Sequence, residues 1–229
     1  MDGNGRWAKA RRHNRVFGHI RGAKVAKTIT DECLRLGVPH LTLFAFSTEN
    51  WYRPQDEITF LMHLLRRQLM RECDNLVRKN IRFQCIGDIQ RLPKAVRDTV
   101  IETVERTSGN TGMVLTFALS YGGRQEITQM AQEIARQVQL GLLEDSEIDD
   151  ALVASLLPSS FLPDPDLIIR TSGESRLSNF FLWQSAYSEI EFEAKAWPDF
   201  TKYDLERILS AYAQRERRFG RTPEQVRLR

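Results

Sequence analysis

Apolar residues recur at helical spacing over several long stretches of the chain, and short apolar runs separate those stretches. From Arg21 to Leu36, the residues Ala23, Ala26, Ile29, Cys33 and Leu36 fall at three- and four-residue steps on one helix face, and Gly37 supplies a stop. His40 to Phe46 (HLTLFAF) reads as a buried strand, and Ser47 to Pro54 (STENWYRP) as a polar, aromatic loop at its end. Helical spacing returns from Ile58 to Lys79 through Leu61, Leu64, Leu65, Leu69 and Leu76. Ile81 to Ile86 is a second strand, closed by Gly87 and Asp88. Pro93 opens a helix to Thr107, since proline suits a first turn. Met113 to Leu119 is a third strand, ending in Ser120, Tyr121, Gly122 and Gly123. Arg124 to Leu140 and Asp149 to Leu157 are helical, and Pro158 to Pro165 is a loop. Leu167 to Arg170 and Ile190 to Phe192 are short strands, and Lys202 to Arg218 is a closing helix.

Strands alternating with amphipathic helices predict an α/β fold: one domain over residues 1–229, with a mostly parallel central sheet flanked by helices. In such sheets ligands gather beyond the carboxyl ends of the strands. That selects the loops Ser47–Arg53, Tyr121–Arg124 and Arg170–Arg176.

Composition narrows the class. The 229 residues suffice for a real core, and 41% hydrophobic with 28% charged residues is ordinary for a soluble protein. No apolar run approaches the roughly 20 residues a bilayer span needs. The chain opens polar and basic, so no secretory leader is expected. Cys33, Cys73 and Cys85 are odd in number and widely spaced, which fits reduced thiols in a cytoplasm rather than disulfides or a zinc site. Net charge is +3, but residues 1–27 hold eight Lys and Arg against the single acid Asp2. The run at 144–150 (EDSEIDD) reads as a solvated helix start, and the tail from Arg215 is arginine-rich. Local positive potential draws anions: diphosphates, nucleic acid and anionic lipid all fit at this level.

Three groups concentrate candidate chemistry. The first is Met1–Ala8 (MDGNGRWA). Glycine lets backbone approach a ligand, and the first amides of a helix point outward without partners. Gly3 to Trp7 can therefore cradle a phosphate, with Arg6 at its lip. Asp2 would repel that phosphate unless a divalent cation sat between them. Arg15 and His19, four residues apart, share a helix face two to four turns further on; a mobile N-terminus whose acid caps a basic helix, and a core or surface histidine, are the plain alternatives. The second is Ser47–Pro54, where Trp51 and Tyr52 beside Glu49 and Arg53 could close over an amphipathic ligand; a surface loop with a tucked-in aromatic is the plain alternative. The third is Arg170–Asn179 (RTSGESRLSN), two arginines six apart with hydroxyl residues between, a natural diphosphate clamp. A capped helix with solvated arginines is the alternative there. The sequence has no G-x-x-x-x-G-K-[ST] loop, no G-x-G-x-x-G after a strand, no His/Cys metal spacing, no G-x-S-x-G elbow and no DDxxD pair.

These residues resemble the cis-prenyltransferases. The likeness rests on MDGNGRWA, Phe17–His19 with Gly22, FSTENWYRP at 46–54, RTSGESRLSNFFLWQ at 170–184, Glu189, WPDF at 197–200 and RERRFG at 215–220, in order along nearly the whole chain. The bacterial undecaprenyl diphosphate synthases are the nearest type. The resemblance implies addition of isopentenyl diphosphate units to farnesyl diphosphate with cis geometry, using Mg2+, by a homodimer that is cytoplasmic and touches the membrane periphery for product release. It implies that Asp2 is the essential acid tied to metal and to departure of the allylic diphosphate. Gly3, Asn4, Gly5, Arg6 and Trp7 would hold that diphosphate with Arg15 and His19. Ser47, Thr48, Glu49, Trp51 and Arg53 would form a loop between the substrates. Asn50 falls where the family's proton acceptor is assigned; a neutral amide is a weak base, so positioning diphosphate or water is the alternative. Arg170, Arg176, Leu177 and Ser178 would hold isopentenyl diphosphate, and Glu189 would be a second metal ligand near the subunit interface. An apolar tunnel lined by the 58–79 helix and the 113–119 strand would set product length, with Met113 as a candidate floor or an ordinary core residue. The resemblance also implies an apolar strand before Asp2, which this chain does not contain. Shorter-chain synthesis, a non-catalytic partner subunit and a nucleic-acid-binding module are the alternatives; the last explains neither Asp2 nor the Arg170–Ser178 clamp, so no nucleic acid is expected.

Overall fold

Asn14 divides the first helical region in two. α1 (Asn4–Ala10) ends before it, and α2 (Arg15–Arg35) starts on its side chain, which accepts from the Val16 amide at 3.1 Å. The computed structural model describes residues 1–215. Apolar spacing places the start of α2 later, at Arg21, because glycines stand on its first buried face. A Cβ on Gly18 would lie 2.0 Å from the Asn4 carbonyl oxygen, and one on Gly22 would lie 2.3 Å from Asn4 Oδ1. The two glycines let α1 lie directly on α2, and no hydrophobic period marks such a contact.

The rest follows the alternation closely: β1 (His40–Ser47), α3 (Gln55–Arg78), β2 (Arg82–Ile86), α4 (Lys94–Thr107), β3 (Val114–Tyr121), α5 (Gly123–Gln139), α6 (Asp150–Leu156), β4 (Leu167–Arg170), β5 (Glu189–Phe192) and α7 (Lys202–Ala213). A 3-10 turn at Thr48–Tyr52 occupies the loop after β1. α7 stops at Ala213, with Gln214 as its cap, short of the Arg218 expected from sequence. Residues 216–218, and the part of the RERRFG motif beyond Arg215, lie outside the described residues.

Among the described residues all strand pairs are parallel, as expected for α/β architecture, but they form two sheets. β1 and β2 flank β3 in one, and β4 pairs with β5 in the other. A cavity of about 890 Å³ lies between β1 on one side and β4 with β5 on the other, lined among others by Leu41, Leu43, Leu167 and Ile169. The strand expected ahead of Asp2 would belong in this gap, where β1 and β4 have no second ladder partner among the described residues. The core packs Ile29 and Cys33 of α2, Ile58 and Leu69 of α3, Phe83, Leu115, Leu119 and Ile208 into one cluster. Full burial of such a side chain contributes about 1.5–3 kcal/mol. Trp197, also buried, donates from Nε1 to the Gly22 carbonyl at 2.9 Å and from its amide to the Asp2 carbonyl at 2.9 Å, fixing the N-terminal motif against α2.

Candidate active site

Asp2 is held from three sides. Its amide donates to Thr171 Oγ1 at 2.9 Å, and that hydroxyl donates back to the Asp2 carbonyl at 3.1 Å. Trp197 supplies the third bond. With its backbone fixed, the carboxylate is aimed. Oδ1 accepts from the Gly3 amide at 2.6 Å and lies 3.5 Å from Arg6 Nη2; Oδ2 accepts from Arg170 Nη2 at 2.9 Å. Gly3 turns the chain into α1 at φ 93, and a Cβ there would meet Ser172 Oγ at 2.6 Å. Only glycine suits that turn.

Arg170 is the hinge between two of the groups singled out in sequence. Besides Asp2, its guanidinium donates to Ser178 Oγ at 2.7 Å and to the Arg176 carbonyl. Glu174 bridges Arg6 and Arg176, the latter at 2.5 Å. A carboxylate therefore stands where these two arginines converge, as an anion would. Burial opposes ionisation of Asp2, yet the Arg170 hydrogen bond, the Gly3 amide and the two arginine charges outweigh it and hold the carboxyl below its ordinary 3.8.

A second node centres on Glu57, at the start of α3. Its carboxylate accepts from Arg53 at 3.1 Å and lies 3.4 Å from both Arg15 Nε and His19 Nε2. The contact to His19 lacks hydrogen-bond geometry, and Nε2 is buried without a partner. Desolvation lowers the His19 pKa below 6.5 despite Glu57. His19 is thus expected to stay neutral at pH 7. A ring-nitrogen NMR titration checks this, a midpoint above 6.5 being the contrary result. Asn4 Oδ1 and Trp7 Nε1 of α1, with His19 Nε2 and Arg170 Nε, are buried without partners. Buried polar atoms are normally satisfied, so each keeps bonding capacity that a polar ligand could use.

The other sequence candidates divide. Ser47, Glu49, Asn50, Arg53, Leu177 and Ser178 line the polar end of the 890 Å³ cavity together with Asp2, Arg170 and Arg176. Asn50 Oδ1 accepts from the Ser47 amide at 3.2 Å. Trp7 stacks on Phe17, with the Arg11 guanidinium 4.3 Å over its ring. Trp51 turns inward: its Nε1 donates to Ser120 Oγ at 3.0 Å and its ring lies edge-on to Phe46. It is the tucked-in aromatic, while Tyr52 is 90% exposed. The Thr48 hydroxyl is buried without a partner. Gly5 lies against Arg15, 2.8 Å from Nε to a Cβ placed there.

Glu189 is not brought to Asp2 within the chain. It pairs with Leu167 at the start of the β4–β5 ladder, whereas Arg170 pairs with Phe192 at its end. Three residue steps put it about 10 Å along the strand from the Asp2 end. Its carboxylate instead meets Arg215 at 3.1 Å. Among the described residues no group of three or more His, Cys, Asp or Glu forms a ready metal cluster. Glu57, Glu174, Thr171 and Asn179 carry the site's geometry without having been assigned a role from sequence. Glu57 had a local signal, standing four residues after Arg53; the others signal nothing until Arg170 and Asp2 are known to meet.

Beside the Asn4–His19 face is a second cavity of about 190 Å³ between α2, α3 and the sheet. Ala23, Ala26, Phe46, Leu61, Leu65 and Phe117 line it. Met113 does not line it but is buried in the core, as an ordinary core residue.

A family model described as "Putative undecaprenyl diphosphate synthase" matches residues 1–220. The chain belongs to this prenyltransferase family. An isoprenyl transferase of Geobacter sulfurreducens is 51% identical to this prenyltransferase over 229 residues, 100% of this chain and 93% of the relative. A ditrans,polycis-undecaprenyl-diphosphate synthase ((2E,6E)-farnesyl-diphosphate specific) of Xanthomonas axonopodis pv. citri is 47% identical, covering 99% of this chain and 88% of the relative. The crystal structure of lavandulyl diphosphate synthase from Lavandula x intermedia in complex with dimethylallyl diphosphate matches with a TM-score of 0.94 and 38% identity, over 96% of this chain and 95% of that one. In the prenyltransferase, Asp2 of the N-terminal motif and Arg170, 168 residues apart, form one ion pair in the lining of the 890 Å³ cavity.

Proposed function

We propose that this chain, acting as one cis-prenyltransferase domain, condenses isopentenyl diphosphate onto farnesyl diphosphate with cis geometry and extends the product to undecaprenyl diphosphate. The observation that carries this reading is the Asp2–Arg170 pair, which joins two candidate anion-binding groups into one site on the 890 Å³ cavity, while Met1 and Asn4 on either side of Asp2 line the smaller apolar one. The allylic C–O bond breaks and diphosphate leaves with the electron pair. The isopentenyl double bond supplies electrons for the new C–C bond, and that unit then gives up a proton to the released diphosphate or to water, its C–H electrons forming the new double bond.

Arg6, Arg15, Asn4 and neutral His19 surround the allylic diphosphate in this reading, with Trp7 packing beside it. Arg170, Arg176 and Ser178 take the isopentenyl diphosphate, in place of the Glu174 carboxylate that now holds Arg176. Preorganised donors stabilise charge that grows on the leaving group more than charge already present. Asn50, whose carbonyl oxygen accepts from Ser47, orients diphosphate or water rather than acting as a strong base. The apolar tail enters the cavity between α2 and α3. Each added methylene favours burial by about 0.8 kcal/mol, so cavity depth limits product length.

Magnesium fits the donor set in one mode. Asp2 offers one ionised carboxylate, and magnesium commonly uses one or two carboxylates plus substrate phosphates. Bound there, the metal neutralises diphosphate charge. Glu189 can add a ligand only from another subunit, so its role and the homodimer stand together. Among the described residues no helix is long and apolar enough to cross a membrane; release of a polyprenyl product at the cytoplasmic membrane surface completes the proposal.

The test is turnover with farnesyl diphosphate and labelled isopentenyl diphosphate, with and without magnesium, followed by product sizing. Magnesium-dependent long-chain product is expected. Short product would correct the chain length alone, and no product from folded protein would overturn the reading.

A further inference from the structure

Asn179 lies next to the proposed clamp residue Ser178 and makes no hydrogen bond to Arg170, yet its side chain makes three hydrogen bonds. It sits at φ 63, a left-handed conformation that asparagine tolerates. Its Oδ1 accepts from the Arg124 amide at 2.8 Å, and its carbonyl accepts from the Gly123 amide at 2.8 Å, so it caps the start of α5. Its Nδ2 donates to Glu49 Oε1 at 2.9 Å and to Gln125 Oε1 at 3.1 Å. Gly122 leaves room for this crossing: a Cβ there would lie 2.6 Å from Asn179 Nδ2 and 2.8 Å from Thr48 Oγ1.

The 3-10 turn at Thr48–Tyr52 buries none of its residues. Three side-chain hydrogen bonds hold it and its flank to the rest of the described chain: Trp51 to Ser120, Arg53 to Glu57, and Asn179 to Glu49. The first two run to the sheet and to α3. The third alone ties the turn to the loop that carries Ser178. Glu49, Asn179 and Arg124 line the polar end of the large cavity, so this bond closes one wall of it.

We propose that Asn179 is a positioning residue, the latch that holds the Ser47–Arg53 turn against the Ser178 loop and so sets the spacing of the two loops around the second diphosphate. The part concerning diphosphate rests on the function proposed above; the latch itself does not. The Nδ2 donor is what the latch needs, and the Oδ1 acceptor is what the α5 cap needs. Asn179→Asp keeps the acceptor and sets two carboxylates against each other. Glu49→Ala removes the latch from the other end and leaves the cap untouched. In the double variant Asn179→Asp/Glu49→Gln, the new amide donates to the new carboxylate and the bond is remade in reverse.

The experiment is amide hydrogen exchange over residues 47–53, with steady-state kinetics on the same samples. Asn179→Asp and Glu49→Ala are expected to speed exchange in the turn about tenfold or more, leaving the core of α5 protected, and the reversed pair to restore slow exchange. In turnover, Asn179→Asp is expected to raise the KM for isopentenyl diphosphate by roughly 10- to 100-fold, with little change in the KM for the allylic substrate. Wild-type exchange rates in Glu49→Ala would overturn the latch, as would faster exchange in the reversed pair than in Asn179→Asp. A wild-type protein that exchanges as expected but turns nothing over would sink the function and leave the latch standing.

Discussion

Replacing Asp2 with asparagine lowers kcat by about 100-fold or more and leaves the folding midpoint nearly unchanged. The substitution keeps the size of the side chain and its bond from the Gly3 amide but removes the charge that faces Arg170 and Arg6. Asp2 is held in place mainly through its backbone, by Thr171 and Trp197, so the loop remains where it is. The side chain is about a third exposed at 36%, so its ion pair contributes little to stability. The loss thus falls on the chemical step. Steady-state kinetics beside a thermal melt separate the two; a large fall in melting temperature with preserved kcat is the contrary result. The sign of the pH effect is also fixed. A carboxyl held below its ordinary 3.8 keeps its pairing above that value and loses it only as pH falls through the lower folded value. Asp2 therefore contributes no change in rate between pH 5 and pH 8.

Gly18→Ala has the second large effect, this time on folding and activity together. The new methyl would sit 2.0 Å from the Asn4 carbonyl oxygen, and backbone cannot yield as a flexible side chain does. α1 must lift off α2, carrying Asn4 and Arg6 away from Arg15 and His19. Overpacking of this kind costs about 1–3 kcal/mol. Displacing catalytic groups by about 1 Å can cost a further factor near 100 in rate. Gly109→Ala is the control, because a Cβ at Gly109 meets nothing within 4 Å. It is expected to stay within about 0.5 kcal/mol of wild type. Urea denaturation of both variants, read beside turnover, checks the contrast; equal stabilities would refute the close-approach explanation.

Much of this was legible before any coordinates. Strands such as Leu167–Arg170 were found to the residue, because short apolar runs between polar loops have few other readings. The start of α2 was not, since Gly18 and Gly22 carry its contact with α1 and neither registers as hydrophobic. Asp2 and the Arg170–Ser178 segment were each visible as anion-seeking groups. That they bond to each other was invisible, because a separation of 168 residues leaves no local trace. In the loop after β1, aromatic composition did not say which ring turns inward: Trp51 donates to Ser120, while Tyr52 stays exposed. Glu174 escaped assignment because an acid between two arginines looks like charge balance. In space it brings together Arg6 and Arg176, from two separate motifs, on one carboxylate.

The gap between β1 and β4 has the shape of a socket for an extended segment. An open strand edge is a row of unpaired donors and acceptors, a template for any extended segment of matching length. Here the edges of β1 and β4, unpaired among the described residues, border the apolar part of one cavity, so an extended segment lying there gains main-chain partners beside Leu41, Leu43, Leu167 and Ile169.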